Sequence, residues 1–118
     1  HSFPYAVLAI SEEKIGIDIE KIQPKISKLK PKFLYPSEFE WTNNDREMEY
    51  LSAIWAIKES LYKIHPSKYW SLKKHYEVFP FELDAWISVE CRIFDEVFND
   101  YFTAEVRRVE DYYFAVVR

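Results

Sequence analysis

The chain has 118 residues, with 16 Lys and Arg against 20 Asp and Glu and a formal charge of -4, which fits one domain and supplies no general positive field for nucleic acid or an anionic membrane. Hydrophobic residues at 48% and aromatic residues at 19% bury enough apolar area to offset chain entropy, so disorder is excluded. The single Cys91 excludes an internal disulfide and a cysteine-rich zinc site and suits a reducing, cytoplasmic setting, and apolar runs such as Tyr5 to Ile10 and Tyr112 to Val117 fall far short of the ~20 residues that span a bilayer.

The chain opens at His1-Ser2 without a methionine and enters a strand-like run at once, so residues 1–118 are expected to form a single domain with an upstream part of the natural protein missing. Tyr5 to Ile10 is almost continuously apolar. After a polar turn at Ser11 to Lys14, Ile15 to Ile19 resumes β-branched alternation, and the two runs predict a hairpin. From Lys21 to Lys32 come five lysines, two prolines and no acid, followed by Phe33-Leu34-Tyr35, which predicts a connector or a short irregular helix with a basic surface. That surface reads as a solvated face.

Pro36-Ser37 with Glu40 resembles a capping box on a short helix, and Asn44 with Glu47 starts a second helix that runs to about Ile64. His65-Pro66 ends it, because proline cannot continue the hydrogen-bond ladder. Trp86 to Ile93 alternates as a half-buried strand, with Ile87, Val89, Cys91 and Ile93 on its inner side. Phe102 to Val106 and Tyr112 to Val117 complete an antiparallel meander with turns near Asn99-Asp100 and Glu110-Asp111. The class is α+β, an antiparallel or mixed sheet packed against one long helix and shorter ones.

The only glycine, Gly16, sits mid-strand in Ile15-Gly16-Ile17-Asp18-Ile19-Glu20, where glycine weakens packing and so needs a reason. Strand alternation puts Gly16, Asp18 and Glu20 on one face, two carboxylates beside bare backbone that a bulky anion could approach. Close like charges repel and raise each other's pKa unless a cation sits between them, and Mg²⁺ prefers all-oxygen ligation. On the long helix, Leu51, Ile54, Trp55, Leu61 and Tyr62 form one apolar stripe with Lys58 near its centre. A lysine there needs carboxylates, phosphates or a route to water. Glu59 and Lys63 border the stripe one turn apart, either as a surface ion pair or as part of a phosphate site. His65, His75 and Cys91 are too scattered for a transition-metal site.

The run Ile15 to Glu20 (IGIDIE), followed by Glu59 inside Trp55 to Lys63 (WAIKESLYK), resembles the signature pair of the 4'-phosphopantetheinyl transferases, at that family's usual separation. His1-Ser2 and the first strand resemble the segment preceding the acid motif in the larger, surfactin-synthetase-activating branch. The resemblance implies transfer of the phosphopantetheine arm of coenzyme A to a serine of an apo acyl or peptidyl carrier protein, with Mg²⁺ required and adenosine 3',5'-bisphosphate released. By the same carry-over Asp18, Glu20 and Glu59 are metal ligands, and Glu59 also serves as general base. Lys58 and Lys63 stand at the phosphates, Lys63 within the catalytic set, His1 contacts a coenzyme A phosphate, and Trp55 packs. The branch has two similar halves with the coenzyme between them. This chain matches the second, so the other pocket wall is expected from an upstream half or from self-association. Carrier proteins in such systems are typically acidic, which makes Lys25, Lys28 and Lys30 candidates for steering. The residues also leave open a catalytically silent scaffold or dimerisation half that keeps the motif, and another metal-dependent phosphotransferase or hydrolase.

Overall fold

The computed structural model describes residues 15–64 and 71–118. Strand β1 (Gly16–Lys21) leads to three helices, α1 (Ile26–Phe33), α2 (Pro36–Trp41) and α3 (Glu47–Ile64), and then to strands β2 (Tyr76–Val78), β3 (Trp86–Phe94), β4 (Asn99–Val109) and β5 (Tyr112–Val117). The strands form one sheet in the order β1-β5-β4-β3-β2, with every neighbouring pair antiparallel. The α+β class holds. No helix among the described residues is long and apolar enough to cross a membrane.

The expected meander is present with one turn displaced. Phe94 already pairs with Asn99, so the β3–β4 turn lies at 95–98 rather than at Asn99-Asp100. The Asp95 carboxylate closes it by accepting the Val97 and Phe98 amides, each at 2.8 Å, the usual turn chemistry of aspartate. The second turn falls at Glu110-Asp111 as expected, with Glu110 in the left-handed region at φ 54°. The alternation read in β3 is also found, since Val89, Cys91 and Ile93 are buried while Ser88 and Glu90 are exposed.

Among the described residues β1 pairs only with β5, with Gly16 opposite Val117 and Asp18 opposite Ala115. The hairpin partner expected at Tyr5 to Ile10 lies outside the described residues. Strand β2 was not anticipated. It has three residues, all buried, so no period-two alternation marks it.

The basic segment forms helix α1, which buries Ile26 and Phe33 and leaves Lys25, Lys28 and Lys32 exposed. Lys30 is partly buried and donates to Glu47 at 2.9 Å. Helix α2 starts at Pro36, where a missing N–H costs nothing. Glu38, rather than Glu40, closes its cap by accepting the Tyr35 amide at 2.8 Å, because Pro36 as first helical residue makes Glu38 the third. Helix α3 begins as expected, with the Asn44 side chain accepting the Arg46 amide at 2.8 Å and Glu47 N–H donating to the Asn44 carbonyl at 3.1 Å. It ends at Ile64, and the proposed stop at His65-Pro66 lies outside the described residues.

Helix α3 is buried over most of its circumference, including Leu51, Ile54, Ile57, Leu61 and Ile64. That is the signature of a helix covered by a sheet on one side and by other helices on another. On the far side from the sheet, Phe33 of α1 meets Trp55 edge to face, with ring centroids 4.9 Å apart.

Candidate active site

The site begins with Gly16. A β-carbon added there would lie 1.9 Å from the Ser60 carbonyl oxygen and 2.7 Å from the Ser60 carbonyl carbon. The bare backbone is therefore filled by helix α3, which corrects the expectation that it admits a bulky anion. Close strand–helix contact sets the neighbours of Gly16 and Ser60, namely Asp18 and Glu59, near one another. Gly16→Ala is expected to push α3 away from β1 at a cost of about 1–3 kcal/mol, read as a lower denaturation midpoint.

Asp18 is buried, at 5% exposure. Its Oδ1 accepts from Lys63 Nζ at 3.0 Å, and the same ammonium donates to the Ile17 carbonyl at 2.7 Å. Lys63 thus leans across to the strand, so its hydrogen bonds tie the end of α3 to β1. Its side chain keeps 38% of its surface in solvent. The other oxygen of Asp18, Oδ2, is buried with no hydrogen-bond partner.

Glu20 lies on the same strand face as Asp18. Burial first, then the hydrogen bond and charge of Asp18 and the charge of Glu59, push its carboxyl up to about 8, against the pull of Lys63. A carboxyl can bond to Asp18 only while it carries a proton, so the raised value reflects two acids held close together. Glu59 is pushed above the usual carboxylate range by burial and then by the Asp18 charge, with Lys63 again opposing. Three acids from a strand and a helix therefore repel one another around a single lysine.

Lys58 requires a correction. It is 0% exposed and donates to the Phe33 carbonyl at 2.7 Å, to Glu38 Oε1 at 2.7 Å and to the Leu72 carbonyl at 3.0 Å. All three ammonium protons are used inside the fold, which leaves none for a phosphate and no route to water. Glu38, equally buried, also accepts the Val78 amide at 2.6 Å through Oε2. Desolvation pulls Lys58 down and pushes Glu38 up, with their mutual attraction opposing both shifts. Sequence reasoning demanded a partner for Lys58 and missed Glu38. The signal was Pro36, which places Glu38 on the inner turn of α2.

A family model for the 4'-phosphopantetheinyl transferase superfamily matches residues 14–117. The chain belongs to that superfamily. It is similar to a 4'-phosphopantetheinyl transferase of Bacillus subtilis, 33% identical over 66 residues that make up 53% of this chain and 30% of the relative. It is also similar to "4'-phosphopantetheinyl transferase gsp" of Aneurinibacillus migulanus, 35% identical over 66 residues, 53% of this chain and 28% of that protein. The matched stretch thus spans under a third of each relative's length.

Within this superfamily member Glu20, alone of the three acids, lines a hollow of about 250 Å³ together with Lys21, Gln23, Lys25, Leu29 and Trp55. A larger one of about 500 Å³, lined by Lys74, His75 and Phe94 to Val97, includes none of these acids. Among the described residues no three His, Cys, Asp or Glu side chains are arranged as placed to hold a metal ion. The donor set nevertheless fits a hard divalent cation, because one buried carboxylate oxygen lacks a partner and its two acid neighbours are driven toward protonation. Cys91 is buried and its thiol is pushed up to about 12, chiefly by burial, which removes it from nucleophilic chemistry. His1 lies outside the described residues.

Proposed function

We infer that the protein transfers the 4'-phosphopantetheine arm of coenzyme A to a serine hydroxyl of an apo carrier protein, releasing adenosine 3',5'-bisphosphate. The observation that carries this reading is the gathering of Asp18, Glu59 and Lys63 where β1 meets α3, with Glu20 on the same strand face, in a chain of this superfamily. Asp18, Glu20 and Glu59 would hold Mg²⁺, whose positive charge neutralises the pyrophosphate and steadies charge on the leaving phosphate.

Glu59 accepts the proton of the attacking serine, a role suited to a half-buried carboxylate whose pKa is raised toward neutrality. The oxygen of that serine forms its bond to phosphorus as the bond to the bisphosphate breaks. Lys63, anchored at Ile17 and Asp18 yet partly in solvent, places its positive charge beside the phosphates. By its match to the family motif, His1 would contact a coenzyme A phosphate. The remaining pocket wall comes from residues beyond the matched stretch, in an upstream half or a second copy.

The test is incubation with coenzyme A, Mg²⁺ and an apo carrier protein, followed by mass spectrometry of the carrier. Gain of a phosphopantetheine arm is expected, and hydrolysis of coenzyme A without carrier modification would instead favour a metal-dependent hydrolase. A catalytically silent half finds support in the lack of a ready three-acid cluster among the described residues, and it predicts no Mg²⁺-dependent heat with coenzyme A.

The exposed lysines of α1 fit steering of an acidic carrier. Lys30 is engaged with Glu47, so the informative variant reverses Lys25, Lys28 and Lys32. Its apparent carrier affinity is expected to fall several-fold at low salt and to converge on the wild-type value as salt screens the field, measured by kinetics over an ionic-strength series.

A further inference from the structure

Strand β5 reads Tyr112-Tyr113-Phe114-Ala115-Val116-Val117, six apolar residues without a break. A sheet with water on one face alternates apolar and polar positions, whereas a continuous run marks a strand covered on both faces. Tyr113, Ala115 and Val117 are buried on the inner face, where α3 packs. Phe114 and Val116 point the other way, in register with Ile19 and Ile17 of β1. On the opposite flank Val116 stands beside Glu105 and Phe114 beside Arg107 of β4, and these stand beside Ser88 and Trp86 of β3. Trp86 is 63% exposed. With Glu105, Arg107, Val109, Phe114 and Val116 it lines a hollow of about 270 Å³ on this outer face. An exposed tryptophan over an apolar hollow, rimmed by charge, is the make-up of a protein contact surface.

The charges on the rim select the occupant. Glu105 and Arg107 stand two residues apart on the same side of β4, one acid and one base, so the surface favours neither an acidic nor a basic partner. Both are held in place. Glu105 accepts from Trp86 Nε1 at 3.1 Å and from Ser88 Oγ at 2.6 Å, and the Arg107 guanidinium lies over the Trp86 ring, 5.2 Å from its centroid. A two-fold axis between two stacked sheets, crossing β4 at Val106, turns the strand end for end. It sets Glu105 of each copy against Arg107 of the other and Val116 against Phe114, so the pattern complements itself. We propose that the outer face of β3, β4 and β5 docks a second copy of this chain, the two sheets packed face to face around Trp86 and Val116. Asp18 is buried on the inner face, so the contact lies across the sheet from the acids and stands whether or not the protein modifies a carrier.

Sedimentation velocity of the 118-residue protein over a rising concentration series is the test. The wild type is expected to pass from monomer to dimer, and Val116→Arg, which puts a charge at the centre of the contact, to stay monomeric with an unchanged circular dichroism spectrum. Glu105→Arg and Arg107→Glu leave the apolar core untouched. Each is expected to weaken the dimer at least about tenfold by setting like charges against each other. The double variant is expected to recover the wild-type dissociation constant to within about threefold, because the swap restores opposite signs across the axis. A structural role for either charge within one chain gives no such rescue. Trp86 provides a second readout. Its emission, taken as the difference between the wild type and Trp86→Phe, is expected to become less open to acrylamide quenching as the dimer forms. A wild type that is monomeric at every concentration overturns the proposal, as does a dimer that Val116→Arg leaves intact. So does a double variant no tighter than the single ones, or an unchanged quenching of Trp86 in a dimeric sample, since either places the contact elsewhere.

Discussion

Asp18→Asn is expected to lower carrier modification by at least about 10²-fold while leaving the denaturation midpoint close to that of wild type. The asymmetry follows from the surroundings of Asp18. Its Oδ1 is occupied by Lys63, and an asparagine oxygen retains that hydrogen bond along with the packing against α3. Its Oδ2 accepts from no fixed donor, and an amide in its place can donate to the facing Glu20 carboxyl. What disappears is the negative charge at the centre of the acid set, the charge that raises both Glu20 and Glu59. On the proposed function, the cation would lose its best-buried ligand and the pyrophosphate its counter-charge. Calorimetry with coenzyme A provides an independent measure. Wild-type binding is expected to depend on Mg²⁺ and to vanish on chelation, and Asp18→Asn is expected to show no metal-dependent component. Full transfer by Asp18→Asn would remove the metal site from the argument. A loss of activity that merely tracks a falling midpoint would reduce Asp18 to a structural residue.

Those elements of the fold that rest on periodicity were legible in the sequence. The long helix starts where expected, and Val89, Cys91 and Ile93 face inward on β3 because alternate residues of a half-buried strand must. Strand β2 was not legible, since three buried residues carry no period, and the β3–β4 turn was misplaced because Asp95, not the Asn99-Asp100 pair, supplies the side-chain acceptor. The site divides in the same way. Spacing on β1 and α3 led correctly to the neighbourhood of Asp18, Glu59 and Lys63 because strand and helix geometry are local. It could not separate Lys58 from that set, since Lys58 and Glu59 are adjacent in sequence yet successive side chains on a helix diverge by about 100°. One turns toward the sheet edge and its acids. The other turns toward α1 and α2, and only the tertiary fold shows that Glu38 awaits it there. Gly16 was flagged as needing a reason, and the sequence alone could not tell an approaching ligand from an approaching helix.

Lys58→Ala is expected to destabilise the protein by about 3–5 kcal/mol, because it strands a buried carboxylate with no counter-charge. At roughly 4 °C per kcal/mol for a domain of this size, the thermal midpoint falls by about 12–20 °C. Three acceptors lose their donor at once, including the carbonyls of Phe33 and Leu72, which lie on segments otherwise far apart in sequence. Glu38 retains the Tyr35 and Val78 amides, which soften the loss without neutralising its charge. A contrasting outcome is expected for the double variant Lys58→Met with Glu38→Gln. The methionine fills most of the lysine volume, and the uncharged amide still accepts from the backbone. Burial already drives both groups toward their neutral forms, so removing both charges together recovers most of the stability lost by Lys58→Ala. Chemical denaturation of the two variants and of Glu38→Gln alone forms a double-mutant cycle. If the pair serves only the architecture, the stabilised double variant also regains carrier modification, since Lys58 has no proton left for a phosphate. Recovery of stability without activity would return Lys58 to the phosphate site from which its burial removes it.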